Sequence, residues 1–139
     1  MIQAPLQKLV PLARTRQHLL IVDDEKPLRD VLGEYLAKRG YRITPVASAA
    51  QALAALNEDY FNLAIIDLVM PEVDGLELLT SIRAEHPGLP VLVLTGIGFD
   101  EEVLQEARAK GASGFLTKGL PLSSLLSDIH RILDYSSVA

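Results

Sequence analysis

Five short apolar runs punctuate the chain, and four of them end at or beside a polar residue. His18-Leu19-Leu20-Ile21-Val22 stops at Asp23, Tyr41 to Val46 ends near Ala47, and Leu63-Ala64-Ile65-Ile66 stops at Asp67. Pro90 to Leu94 stops at Thr95, and Gly114 to Leu116 ends near Lys118. Runs this short read as strands, the first of them buried on both faces.

Between the runs the apolar spacing changes to that of a helix. Pro27 suits a first helical turn, Leu28, Val31, Leu32, Tyr35 and Leu36 share a face, and Gly40 closes the segment. Ser48 with Gln51 makes a capping box for a helix through about Asn57. Asp74 with Glu77 repeats the pattern before Leu76, Leu79 and Ile82, and His86-Pro87-Gly88 ends that helix. Asp100, Glu101 and Glu102 precede a helix whose last turn holds Arg108 and Lys110, as the macrodipole favours. Pro121 opens a final helix with Leu122, Leu125, Leu126, Ile129, Ile132 and Leu133 on one face. Strict alternation of strand and helix predicts an α/β fold: a doubly wound, five-stranded parallel sheet with helices on both faces.

A chain of 139 residues suits one such domain. Residues 1–16 are interrupted by Pro5 and Pro11 and hold Lys8, Arg14 and Arg16, so they read as an N-terminal extension. Residues 17–135 form the domain and 136–139 a short C-terminal tail. The extension has no acidic residue, so ten basic and 18 acidic residues remain beyond it and the body carries −8 against −5 for the whole chain. That balance argues against direct binding of nucleic acid. No apolar run approaches a bilayer span, and membrane association is not expected. Without cysteine the chain has no disulfide scaffold and no thiolate metal site. Its absence suits a reducing cytoplasm, the location we expect.

The chemistry collects at the strand ends. In an open parallel sheet, ligands bind beyond the carboxyl ends of the strands, where the strand order reverses. For the flavodoxin-like order 2-1-3-4-5 that point lies between the first and third strands. Asp23, Asp24, Asp67, Thr95 and Lys118 then converge on one place. Each alone has a plainer reading: a strand end, a helix cap, a turn or a solvated lysine. Together the three carboxylates suit a magnesium ion, which keeps waters and takes few protein ligands. Lys118 adds a positive charge and Thr95 a hydroxyl, completing the parts of phosphoryl transfer onto a carboxylate.

These residues resemble the receiver domain of two-component response regulators. The resemblance rests on Asp23-Asp24-Glu25 after Leu19-Leu20-Ile21-Val22, and on Asp67-Leu68-Val69-Met70-Pro71-Glu72-Val73-Asp74-Gly75. It rests also on Leu94-Thr95-Gly96 and on Gly111-Ala112-Ser113-Gly114-Phe115-Leu116-Thr117-Lys118. It covers about Gln17 to Tyr135. It implies that Asp67 accepts the phosphoryl group, and that Asp23, Asp24, Asp67 and the Val69 backbone carbonyl hold Mg2+. Thr95 and Lys118 would bind the phosphoryl oxygens, and Thr95 with Phe115 would form the switch. The implied donor is a sensor histidine kinase or a histidine phosphotransfer protein. The implied output is a downstream protein target, with a homodimer through the helix 4–strand 5–helix 5 face a further option.

Two departures from the family pattern stand out. Gly119 replaces the proline that usually follows the terminal lysine, and proline comes at Pro121. A cis bond before Gly119 would cost about 3 kcal/mol, so a trans peptide is expected. Val69 and Ile97, two residues after Asp67 and Thr95, are apolar and cannot orient a water, so slow self-hydrolysis is expected rather than turnover as an enzyme. An aspartate-nucleophile phosphatase would want a second Asp at Val69. A flavin phosphate would be repelled by Asp23-Asp24-Glu25. A receiver-like docking module that is never phosphorylated stays open. His18, His86 and His130 are scattered and are expected at the surface or a strand edge. If the chain is complete, its output is expected to be a protein contact, since the receiver fold uses nearly all its length.

Overall fold

The computed structural model describes residues 16–68, 75–96, 101–119 and 121–138. Five strands alternate with five helices: β1 (His18–Val22), α1 (Lys26–Ala37), β2 (Arg42–Val46), α2 (Ala49–Glu58), β3 (Leu63–Asp67), α3 (Gly75–Glu85), β4 (Val91–Thr95), α4 (Glu101–Ala109), β5 (Gly114–Thr117) and α5 (Leu122–Val138). The strands form one parallel sheet in the order β2-β1-β3-β4-β5.

The apolar runs lack alternation because both sheet faces are covered. Leu20, Val22, Ala64, Ile66, Val91 and Val93 point to the side holding α2, α3 and α4, where Leu56, Leu78, Ile82 and Ala107 meet them. Leu19, Ile21, Leu63, Ile65, Leu92 and Leu94 point to the side of α1 and α5, against Leu32, Leu36, Leu125 and Ile129. Each fully buried large side chain contributes roughly 1.5–3 kcal/mol. β2 lies at the edge, half-buried, and accommodates Pro45.

The element ends follow local hydrogen bonding. Ser48 Oγ accepts from Gln51 N at 3.1 Å, and Gln51 Oε1 accepts from Ala47 N at 2.8 Å, closing the capping box around α2. α1 stops at Ala37 because Arg39 and Gly40 bond back to Leu36 and Ala37 in tighter turns. The Tyr41 N–H is taken by the Leu36 carbonyl, so β2 begins one residue later. α5 runs to Val138. No glycine or proline stands there to stop it, and helix propagation does not need an apolar face. Residues 1–15, Asp74 and Asp100 lie outside the described residues.

His18 corrects one expectation. It is 4% exposed and so is not at the surface, although it does open strand β1. Nε2 lies 2.6 Å from Thr44 Oγ1, Nδ1 lies 3.0 Å from the Tyr60 carbonyl, and the ring stacks on Phe61 at 4.0 Å. Partners for both nitrogens, supplied from β2 and the turn before β3, make the burial tolerable.

Candidate functional site

The polar residues that stop the strands meet at the carboxyl edge of the sheet. β1 delivers Asp23, fully buried, and β3 delivers Asp67, 2% exposed. β4 delivers Thr95, 4% exposed, and the turn after β5 delivers Lys118. Lys118 Nζ lies 2.7 Å from Asp67 Oδ2, 3.2 Å from Glu25 Oε1 and 3.7 Å from Asp23 Oδ2.

Two backbone devices set these positions. Gly75 opens α3 against the end of β3, with its N–H on the Leu68 carbonyl at 2.8 Å. A Cβ there would stand 2.5 Å from Leu68 Cα and 2.6 Å from the Asp67 carbonyl oxygen, so only glycine permits this approach. After Lys118, Gly119 turns the chain at φ +95°. Proline is confined near −65° and cannot make that turn. No described peptide bond is cis, so the Lys118–Gly119 bond is trans as expected, and Lys118 N still bonds the Thr95 carbonyl at 2.7 Å.

Asp23 carries the electrostatic tension of the site. Burial first, and then the neighbouring Asp67 charge, raise its pKa, against the Glu25 N–H that bonds its Oδ1 at 2.9 Å. Its Oδ2 is buried without a hydrogen-bond partner among the described residues. Burial lowers the Lys118 pKa, but the hydrogen bond to Asp67 and the charges of Asp23 and Asp67 outweigh it, and the net shift is upward.

Single carboxylate oxygens of Asp23, Glu25 and Asp67 lie within 4.8 Å of one another. An orphaned buried carboxylate oxygen beside two further carboxylates fits a hard divalent cation. Asp24 is exposed and stands outside this group, while Glu25 stands within it. Val69 and Ile97 lie outside the described residues. Sequence reasoning did not assign roles to Glu25 or Arg29. Glu25 belongs to the acidic triplet. Arg29, one helical turn further, donates from Nη1 to the Asp23 carbonyl at 2.7 Å and holds the loop.

The switch pair sits on adjacent strands. Thr95 Oγ1 lies 3.5 Å from the Leu116 carbonyl, a long and weak contact. Phe115 is half-buried against the core side of α2, α3 and α4, with the Arg108 guanidinium 5.1 Å from its ring centre. Of α4 only Ala107 is buried, so this helix is the least anchored against the sheet.

Among known proteins, the chain is similar to the response regulator receiver domain, whose family model matches residues 19–130. It is 37% identical over 122 residues to the transcriptional regulatory protein GlrR of Escherichia coli (strain K12), covering 88% of this chain and 27% of GlrR. It is 37% identical over 113 residues to the response regulator protein FleR of Pseudomonas aeruginosa, covering 81% of this chain and 24% of FleR. The chain thus spans about a quarter of the length of these relatives. A CheY-like response regulator receiver domain protein from Methanospirillum hungatei JF-1 superposes with a TM-score of 0.84 at 30% identity, covering 88% of this chain and 97% of that one. NtrX from Brucella abortus gives a TM-score of 0.84 at 32% identity, covering 88% of this chain and 28% of that one. No helix among the described residues is long and apolar enough to cross a membrane.

Proposed function

The chain belongs to the response regulator receiver domain family, and from that premise we propose that it accepts a phosphoryl group on Asp67. The observation that carries this reading is the 2.7 Å contact between Lys118 Nζ and Asp67 Oδ2, made across 51 residues beside the buried Asp23. It poises a carboxylate nucleophile next to the cation that would receive the incoming charge.

The donor is a phosphohistidine on a sensor kinase or phosphotransfer protein. An Asp67 oxygen attacks phosphorus, the P–N bond breaks, and the bonding pair leaves with the imidazole. Lys118 exchanges its carboxylate contact for a phosphoryl oxygen. The Thr95 hydroxyl, weakly engaged with the Leu116 carbonyl, turns to donate to another. Asp23, Asp24, Asp67 and the Val69 carbonyl would hold Mg2+, with Glu25 close enough to contribute. When bound, the ion neutralises the clustered carboxylates and withdraws charge from the transferring group.

The new phosphate adds negative charge and acceptor oxygens. Movement of Thr95 toward it frees space that Phe115 can enter, and the thinly anchored α4 follows. The surface of α4, β5 and α5 then changes its affinity for a downstream protein or for a second copy. We assign this receiver unit to residues 17–135 and place its work in the cytoplasm. It acts as a switch, not a multiple-turnover enzyme, and its phosphate is lost slowly.

The full chain should be incubated with magnesium and a small-molecule phosphodonor and its intact mass recorded. One base-labile phosphoryl adduct, absent without magnesium and absent in Asp67→Ala, is expected. No adduct on the wild-type chain would mean a docking module, and continuous phosphate release would mean a phosphatase.

A further inference from the structure

At the amino ends of β4 and β5, at the opposite edge of the sheet from Asp67, lies a cavity of about 700 Å³. That volume is within the range of small-molecule sites. Leu89 and Ile132, both buried in the fold, form apolar walls with Pro87. The polar lining is Arg83, Ser113 and Arg131, and no carboxylate lines the cavity among the described residues. This is unexpected in a body whose net charge is −8.

Arg83 is the telling residue. It is half-buried, and its guanidinium donates to the carbonyls of Pro87 at 2.7 Å, Gly111 at 2.8 Å and His86 at 3.4 Å. Its Nε is buried without a hydrogen-bond partner among the described residues. It pairs with no carboxylate among the described residues. Carbonyls occupy its terminal nitrogens but bring no counter-charge, and a partly desolvated charge without a counter-ion is costly. Burial accordingly lowers its pKa.

Two further donors are available there. Ser113 Oγ accepts from Val91 N at 3.2 Å, which leaves its hydroxyl hydrogen free to donate. Arg131 is exposed and uses one nitrogen on Asp128 at 2.7 Å, so most of its five N–H donors stay available. We propose that this cavity binds a small organic anion, with its charged head on Arg83, Arg131 and Ser113 and an apolar body against Leu89 and Ile132. The counter-ion that Arg83 lacks is then supplied by the ligand.

The test uses the full chain, 15N-labelled, titrated with 1-naphthoate and separately with the uncharged 1-naphthalenemethanol. Saturable shifts at the amides of Gly88, Gly111 and Ser113 are expected with the carboxylate. About tenfold weaker binding is expected for the alcohol and for Arg131→Glu, because charge-assisted hydrogen bonds are lost. Asp128→Ala, which frees Arg131, should bind severalfold tighter. Phosphorylation of Asp67 should be unchanged in both variants, which reports that they fold. Equal affinity for the alcohol and the carboxylate, indifference to Arg131→Glu, or shifts elsewhere would overturn the assignment.

Discussion

Strand β1 begins on a buried polar residue and is followed directly by another, and the fold treats the two in opposite ways. His18 at the amino end has a partner for each ring nitrogen and an aromatic ring beneath it. Asp23, just past the carboxyl end, keeps one buried oxygen without a hydrogen-bond partner among the described residues, 3.7 Å from Lys118 Nζ, and faces a second carboxylate. Both are nearly inaccessible to solvent, so burial does not distinguish them. Satisfaction does. A satisfied buried network secures the fold, whereas an unsatisfied one costs stability and persists where a ligand or a reaction completes it. The uncompensated Arg83 fits the second pattern at the other pole.

Truncating the satisfied end should have the larger effect. His18→Ala removes the stacking on Phe61, leaves the Tyr60 carbonyl without its donor and opens a cavity between β2 and the turn before β3. A loss of about 2–4 kcal/mol is expected. Chemical denaturation at neutral pH measures it. A loss below roughly 1 kcal/mol would mean that water replaces the ring at little cost, and the contrast between the two ends would collapse.

Neutralising the frustrated end should act with the opposite sign. Asp23→Asn removes one of two crowded buried carboxylates while keeping the shape. A gain of about 1 kcal/mol is expected without magnesium, because relief from burial and like charge outweighs the lost 3.7 Å attraction to Lys118. Magnesium should raise the melting temperature of the wild-type chain and barely move that of the variant. A variant less stable than the wild type in metal-free buffer would show that Lys118 needs Asp23 more than Asp67 repels it.

This contrast is only partly visible in the sequence. The strand runs, their polar stops and the helical faces recur at fixed periods, so the sheet, its covered faces and the meeting of Asp23, Asp67, Thr95 and Lys118 follow from local pattern plus topology. The side-chain partners do not. His18 looks like any histidine beside an apolar run, because Thr44 and Tyr60 reach it only through the sheet register and the turn before β3. The nearer approach of Glu25 than Asp24 to Lys118 depends on how the chain leaves β1, which no periodicity encodes. Arg83 stands in the last turn of α3. Its bond to the Gly111 carbonyl, 28 residues away, exists only once α3 and the α4–β5 turn are side by side.

The smallest effect is the response of the satisfied end to acid. The Tyr60 carbonyl can only accept, so Nδ1 carries the hydrogen, and in the neutral ring Nε2 accepts from the Thr44 hydroxyl. Protonation puts a hydrogen on Nε2 and forces that hydroxyl to turn. Burial is the main cause that lowers the His18 pKa from its ordinary 6.5, and Arg42 adds to it. The Tyr60 hydrogen bond and Asp59, 3.8 Å from Nδ1, oppose it without cancelling it. The folded state therefore favours the neutral ring. Its contribution is fully present above pH 6.5 and is lost as pH falls through the folded value. The slope for this single proton cannot exceed about 1.4 kcal/mol per pH unit. Unfolding free energies at pH 7.5 and 5.0, compared between the wild type and the non-titrating His18→Gln, isolate it. The wild type should lose more on acidification, and parallel losses would place the acid sensitivity elsewhere in the molecule.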